Sequence, residues 1–155
     1  MPDPVEVAIE SALLNRAIAF AAAQSPALTI SLPNIAFTPP PDKTASGSTV
    51  IYGKWLKATF LPAPTLGLGV SSNSTNQLYG LLQIDVFHGI GAGEYAPGRI
   101  ASAILSYFKF ETVVTKDGFS AKVWKQPYRS ALMTKDAWTQ IPVTIPYVCF
   151  APNPA

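Results

Sequence analysis

Hydrophobic positions that repeat every three or four residues predict two helices in this chain. The first is expected to start at Asp3 and Pro4, a pair that suits a helix cap and first turn, and to end at Pro26. Its apolar stripe consists of Ile9, Leu13, Ala17 and Phe20. The second helix is predicted over Pro97–Phe108, with a stripe made of Ile100, Ala101, Ile104, Leu105 and Phe108. Each helix therefore has one face that must pack against another element.

Alternating apolar and polar positions predict strands elsewhere in the chain. The clearest segments are Tyr52–Leu61, Gln77–Phe87, Thr112–Lys125 and Trp138–Phe150, with shorter extended pieces at Leu28–Leu32 and Ile35–Thr38. Within Thr112–Lys125, the pair Asp117 and Gly118 is typical of a hairpin turn. The predicted fold class is therefore α/β of the α+β kind, with a mostly antiparallel or mixed sheet of four to five strands and two helices packed on one side.

Two prolines inside the final predicted strand, Pro142 and Pro146, are an even number of residues apart. Their missing N–H groups would therefore face the same neighbouring strand position. Such a strand pairs well on one side and poorly on the other. We therefore expect Trp138–Phe150 to lie at a sheet edge or beside a bulge.

Two long segments lack a clear period, although residues 1–155 are expected to form a single domain. Residues 39–49 begin with three consecutive prolines, continue with small polar residues, and are predicted to be a mobile loop. Residues 62–76 combine prolines, glycines and hydroxyl side chains with the alternating apolar residues Leu66, Leu68 and Val70. We interpret this second segment either as an arm that is buried against another subunit or as a flexible linker.

The composition points away from nucleic acids and membranes and towards a permanent assembly. Charged residues make up 13% of the chain, about half of the roughly 25% that is usual in globular proteins. Low charge is typical of interface cores. The formal net charge is +2 without a basic stripe, so specific nucleic-acid binding is not predicted. No apolar run is long enough to span a bilayer, so the chain is expected to be soluble and cytoplasmic in origin.

Few residues are placed where they could carry catalysis. Gly91–Ala96 formally fits the dinucleotide pattern G-x-G-x-x-G/A, but the preceding strand alternates and Pro97 delays the helix start. A small nucleotide-binding enzyme that uses residues 89–96 is therefore only a lesser alternative. His88 has no acid or nucleophile at a recognisable spacing, and the single Cys149 excludes a cysteine metal cluster. No catalytic residue, cofactor site or metal site is predicted, and the chain is not expected to be an enzyme.

Four stretches, taken in order, resemble a known family. They are an amino-terminal helix followed by residues 34–39 (NIAFTP), a strand that ends at Phe60-Leu61-Pro62-Ala63, a later helix that ends at Phe108, and the stretch Trp138–Pro146 (WTQIPVTIP). With these stretches the chain resembles the tail-terminator-like proteins of long-tailed bacteriophages and their prophage relatives, from about Val5 to Tyr147.

The resemblance implies a structural virion protein that is assembled in the host cytoplasm and lies at the head-proximal end of the tail. Proteins of this kind form a ring, usually of six subunits, that stops polymerisation of the tail tube and offers a surface to the head-side connector. The implied partners are other copies of the chain, the tail tube protein, the head–tail connector protein, and DNA that passes through the lumen without specific binding. The long segments 39–49 and 62–76 leave another connector or neck adaptor protein open as an alternative.

The residues expected at the subunit interface come from the arm and from two strands. They are Leu66, Leu68, Val70, Tyr79, Pro142 and Pro146. An apolar arm and a sheet edge that lacks donors are features with which subunits of a closed ring can be joined.

Overall fold

A computed structural model describes residues 3–152 of the chain, so residues 1–2 and 153–155 of the predicted domain lie outside the described part. The helices are α1 (Val5–Ala23) and α2 (Tyr95–Tyr107). The strands are β1 (Thr29–Ser31), β2 (Lys43–Ser46), β3 (Thr49–Tyr52), β4 (Lys54–Pro62), β5 (Leu66–Gly67), β6 (Thr75–Gly89), β7 (Val113–Lys116), β8 (Phe119–Val123), β9 (Tyr128–Arg129), β10 (Met133–Lys135) and β11 (Trp138–Pro152).

Two fifteen-residue strands, β6 and β11, form the centre of a mixed sheet and pair along their whole length. The strand order is β1-β4-β6-β11-β8-β7, with β5 added to β6, and β9 and β10 added to β11. Only the β1–β4 pair is parallel among the described strands of this sheet. The predicted α+β class is confirmed, but this sheet has nine strands over residues 3–152 instead of four to five. Strands of two or three residues, such as β5, β9 and β10, are too short to show a period.

Both helices pack on the same face of the sheet, as predicted. Their apolar stripes contact the side chains of β6 and β11 that point to this face. The fully buried members include Leu13, Phe20, Ile104, Phe108, Leu82, Ile84, Ile141, Ile145 and Tyr147. One hydrophobic core therefore lies between the helices and the sheet.

Arg16 of α1 joins the two helices. Its Nη2 donates a hydrogen bond of 2.6 Å to the carbonyl oxygen of Tyr107, and its guanidinium lies 4.2 Å from the centre of the Tyr107 ring. A positive charge at the carboxyl end of a helix is stabilising because the carbonyl groups there carry partial negative charge. The side chain that falls off the apolar stripe of α1 thus fixes the end of α2.

The helix starts differ from those expected from sequence. The N-cap of α1 is Pro4, and no side-chain hydrogen bond caps the helix. The prediction that Asp3 caps it is therefore wrong, because the Asp3 carboxylate lies 3.3 Å from Nζ of Lys116 instead. Helix α2 begins at Tyr95, so Pro97 falls in its first turn, where no backbone N–H is needed.

The prediction that the last strand lies at a sheet edge is wrong, because β11 is an inner strand with neighbours on both sides. The carbonyl oxygen of Pro142 accepts a 2.8 Å hydrogen bond from the Ser130 N–H, so the prolines face away from β6. On that side β11 pairs with three short strands in turn, and no paired position is Pro142 or Pro146. The prolines therefore do not end the sheet but divide the neighbouring strand into pieces.

Residues 39–49, predicted to be a loop, contain β2 and the beginning of a hairpin with β3. The hairpin is fixed to the sheet by glycines: the Gly53 N–H donates to the Asp42 carbonyl at 2.7 Å, and the Gly89 N–H donates to the Gly53 carbonyl at 2.9 Å. A side chain at Gly89 would collide with the Asp42 carbonyl. Glycine is therefore required at position 89 for chain packing.

Candidate subunit interface

The face of the sheet opposite the helices, which we call the open face, is the candidate functional surface. Side chains alternate between the two faces of a strand, so the odd-numbered residues of β6 and the even-numbered residues of β11 belong to it. From one end to the other it has an aromatic part, a polar part and an apolar groove. Each part is covered to a different degree.

Aromatic side chains of the same chain cover the aromatic part of the open face. The Trp55 ring stacks on Phe87 with 4.0 Å between ring centres, and Trp138 meets it edge-on at 6.0 Å. Phe37, from the segment between β1 and β2, lies 5.0 Å from the Trp55 ring. Only 9% of Trp55 is exposed, so this end of the open face has little surface left for a partner.

The polar part is built around Asp85, a carboxylate that is almost fully buried. Gln83 donates a 3.0 Å hydrogen bond to the carboxylate from Nε2. Burial raises the pKa of the Asp85 carboxyl group, whereas hydrogen bonds from Gln83 and Gln140 and the charge of Lys57 act in the opposite direction. The polar side chains of Gln83 and Asp85 are thus partly and almost wholly withdrawn from solvent, respectively.

The apolar groove crosses the other end of the open face and has a volume of about 460 Å³. Its principal lining residues are Leu61, Tyr79, Leu81, Trp124, Tyr128 and Pro146. Lys125 is the single charged residue in the lining among the described residues. Tyr79 and Trp124 meet edge-on with 6.2 Å between ring centres, and 43% of Leu61 is exposed. The groove therefore offers aromatic and aliphatic surface of the kind that dominates binding hot spots.

Pro146 explains why this groove exists. Strand β8 pairs with β11 at Tyr147 and Val148, and β9 pairs with it at Val143 and Thr144. The chain between β8 and β9 leaves the sheet opposite Pro146, where β11 has no donor to offer. Trp124 and Tyr128, on either side of this departure, form one wall of the groove.

The second exposed apolar feature, which we call the arm, consists of residues 62–74 and includes β5. Leu66, Leu68 and Val70 are 46%, 53% and 110% exposed. The tip is ordered by its own hydrogen bonds: the Leu68 N–H donates to the Thr75 carbonyl, and the Ser74 N–H donates to the Ser71 carbonyl, both at 3.0 Å. The arm therefore presents apolar side chains on a defined turn.

The residues expected at the interface fall into three places. Leu66, Leu68 and Val70 project from the arm, and Tyr79 and Pro146 line the groove. Pro142 is buried beside β9 and belongs to neither surface. Sequence reasoning missed the groove residues Leu61, Trp124 and Tyr128, because they come from three separate segments and no spacing connects them.

The contacts of the residues considered for catalysis explain them as parts of the fold. The buried His88 has Nδ1 3.0 Å from the Gly89 carbonyl oxygen, and Tyr52 packs beside its ring. Gly91 and Gly93 have positive φ angles of 105° and 79°, which explains why glycine occupies the turn before α2. Cys149 is in the core, and burial raises the pKa of its thiol. A buried thiol of raised pKa is a poor nucleophile.

Among residues 3–152, no group of three or more His, Cys, Asp or Glu side chains could hold a metal ion. Neither of the two helices described above is both long enough and apolar enough to cross a membrane.

Comparisons with known proteins give one family and one solved structure to which this chain is similar. The chain matches a family model described as "Phage tail terminator protein" over residues 8–147. It is similar to a solved structure with 25% sequence identity and a TM-score of 0.73, in an alignment that covers 91% of this chain and 92% of that one. No curated protein matches the sequence.

Proposed function

Because the chain belongs to the phage tail terminator protein family and is thus a structural protein of a phage tail, we propose that it forms a ring at the head-proximal end of the tail tube. The ring ends tube polymerisation and joins the tail to the head connector. The observation that carries this proposal is the arm, whose apolar residues are ordered but exposed in a single copy of the chain.

An isolated subunit would leave much apolar surface in water. Besides the arm, Val7, Ile35, Ile51 and Phe150 are each about half exposed or more, in a chain with 13% charged residues. Apolar side chains that are exposed close together mark sites of association, as Leu66, Leu68 and Val70 are on the arm. A ring is closed by copies that join through two different patches of the same chain, and each patch is buried once per subunit.

The charge of the chain suits a ring through which DNA passes. Lys and Arg side chains that contact phosphates would hold the DNA in place by releasing its counterions. The formal net charge of +2 makes such a grip weak. Partners of the ring are then the tube protein on one side and the connector on the other, without a cofactor.

The proposal is tested first by the size of the purified full chain. Size-exclusion chromatography with light scattering should give a discrete multiple of the 16.5 kDa chain mass, and electron microscopy should show rings. The chain should then be added to polymerising tube protein from the same phage. We expect tubes that stop growing and carry the chain at one end.

The control is the same tube reaction without the chain, or with the chain after heat denaturation. A strictly monomeric chain that leaves tube length unchanged would contradict the proposal. A ring that binds the connector but leaves tube growth unaffected would identify a neck adaptor instead. Localisation of the chain in the intact particle distinguishes these two roles directly.

A further inference from the structure

We propose that the arm of one copy occupies the apolar groove of the next copy, so that the ring closes through one repeated contact between two unlike surfaces. This inference rests on the proposed ring and adds to it the two surfaces that meet. The partner is a second copy of this chain, and Leu66, Leu68 and Val70 are the side chains that enter the groove.

The two surfaces match in chemistry. No charged residue occurs between Pro62 and Asn76, and within residues 3–152 the groove lining includes only Lys125 as a charged residue. On docking, Leu68 and Val70 of one copy would leave water and contact the rings of Trp124 and Tyr128 of the next copy. A groove that is lined by aromatic residues and nearly free of charge favours an uncharged apolar occupant.

The two surfaces also match in length. The groove extends from β4 across β6 and β11 to the β8–β9 connection, which corresponds to three strand spacings, or roughly 14 Å. From Leu66 to Val70 the arm spans at most about 13 Å, because four residues in a strand rise by about 3.3 Å each. The apolar part of the arm thus fits within the groove.

The arm starts beside the groove of its own molecule, since Pro62 and Ala63 belong to the groove lining, but its apolar tip runs away from the groove. Leu66 is paired with Gln77 and Gly67 with Asn76, so the arm runs along β6 towards its first residue, Thr75. Of the groove residues on β6, Tyr79 lies four residues from Thr75, which corresponds to about 13 Å, and Leu81 lies six residues from it, about 20 Å. The arm could fold back only if its pairing with β6 were lost. Leu68 and Val70 therefore do not occupy the groove of their own molecule, and the groove is open to the arm of another copy.

The arm already has an ordered conformation in the single copy. Besides the two backbone hydrogen bonds at its tip, the Ser71 N–H donates to Ser74 Oγ at 3.2 Å. A side chain at Gly69 would collide with Ser74, so the tight turn requires glycine there. An ordered arm loses less conformational entropy on binding than a flexible one.

The test is site-specific cross-linking between copies of the full-length chain. Val70→Cys is mixed with Tyr128→Cys or with Leu61→Cys, which place thiols at the two ends of the groove, and a short bismaleimide is added. The native Cys149 is 1% exposed and should not react. The control partner is Ile18→Cys, which is exposed on α1 on the helix side of the sheet.

We expect a covalent dimer of twice the chain mass in the mixtures of Val70→Cys with the groove variants, and none with Ile18→Cys. A chain that carries both Val70→Cys and Tyr128→Cys should give a ladder that ends at the ring size. Oligomers that show no cross-link beyond the Ile18→Cys control would overturn the inference and leave the ring standing. A cross-link between two Val70→Cys copies, or from Val70→Cys to tube protein only, would also overturn it. A chain that stays monomeric under all conditions would remove the ring and this contact together.

Discussion

Replacement of the three exposed arm residues by serine separates association from folding. The change Leu66→Ser, Leu68→Ser and Val70→Ser removes apolar side chains that contribute little to the core of their own molecule. Val70 is fully in water in the single copy, but Leu66 and Leu68 are about half buried, so the free energy of unfolding of the monomer should fall by no more than about 2 kcal/mol. The same change should strongly weaken any interface that buries them.

The size of this effect follows from the exposed fractions, which are 46% for Leu66, 53% for Leu68 and 110% for Val70. Together they correspond to about two fully exposed side chains. Full burial of a Leu or Val side chain contributes about 2 kcal/mol, so each interface should lose about 4 kcal/mol. A loss of this size raises the dissociation constant of one contact by ~1,000-fold, since 1.4 kcal/mol corresponds to a factor of ten.

The assay is analytical ultracentrifugation over a range of chain concentrations, together with urea unfolding of the diluted monomer. Val113→Ser is the control for loss of an exposed apolar side chain outside the arm, because Val113 is also 53% exposed but lies on β7, far from the arm in the strand order. The control should associate like the unmodified chain. If the triple variant forms oligomers at unchanged concentrations, the arm is not part of the interface and the reasoning from its exposure is refuted.

Two further substitutions and one labelling experiment test the packing of the sheet. In Gly80→Ala the new Cβ would collide with the Leu61 carbonyl oxygen and lie 2.9 Å from Oη of Tyr147. Urea unfolding should therefore show that the free energy of unfolding falls by about 1–3 kcal/mol. An unchanged midpoint of unfolding would contradict this. Burial raises the pKa of Asp85, so the folded state binds the carboxyl proton more tightly than the unfolded state. The free energy of unfolding should therefore fall as pH rises from below the ordinary Asp pKa through the raised pKa. Asp85→Asn should abolish that fall, and parallel pH profiles of the variant and the unmodified chain would argue against this reasoning. Cys149, buried and with a raised pKa, should react with thiol reagents only after unfolding in urea; equal rates in both states would show the core is open there.

Local patterns predicted the elements that depend on a few neighbouring residues. Helices α1 and α2 lie where the apolar stripes indicated, because each stripe must reach the core through the helix itself. The hairpin of β7 and β8 turns at Asp117 and Gly118, which have φ angles of 52° and 82°. Positive φ at two successive turn residues is what an Asp-Gly pair favours.

The position of β11 could not be predicted because it depends on strands far away in the chain. The spacing of Pro142 and Pro146 correctly indicates that one side of the strand is poor in donors. It does not show whether that side faces solvent or several short strands. Strands β9 and β10 have two and three residues, and their pairing with β11 appears only in the folded chain. The groove was missed for the same reason, since it lies in the gap between such strands.

The same prolines favour association through side chains over association through strand pairing. An unpaired strand edge attracts strands of other chains, but β11 is internal and its donor-poor side is already divided among β8, β9 and β10. At the ends of the strand order lie β1 and β7, with three and four residues, which are too short to support much pairing with another subunit. The projecting arm and the groove above Pro146 instead expose apolar side chains through which two copies can associate. A contact between unlike surfaces of this kind can fix the angle between neighbouring subunits, and a fixed angle allows a ring to close after a definite number of copies.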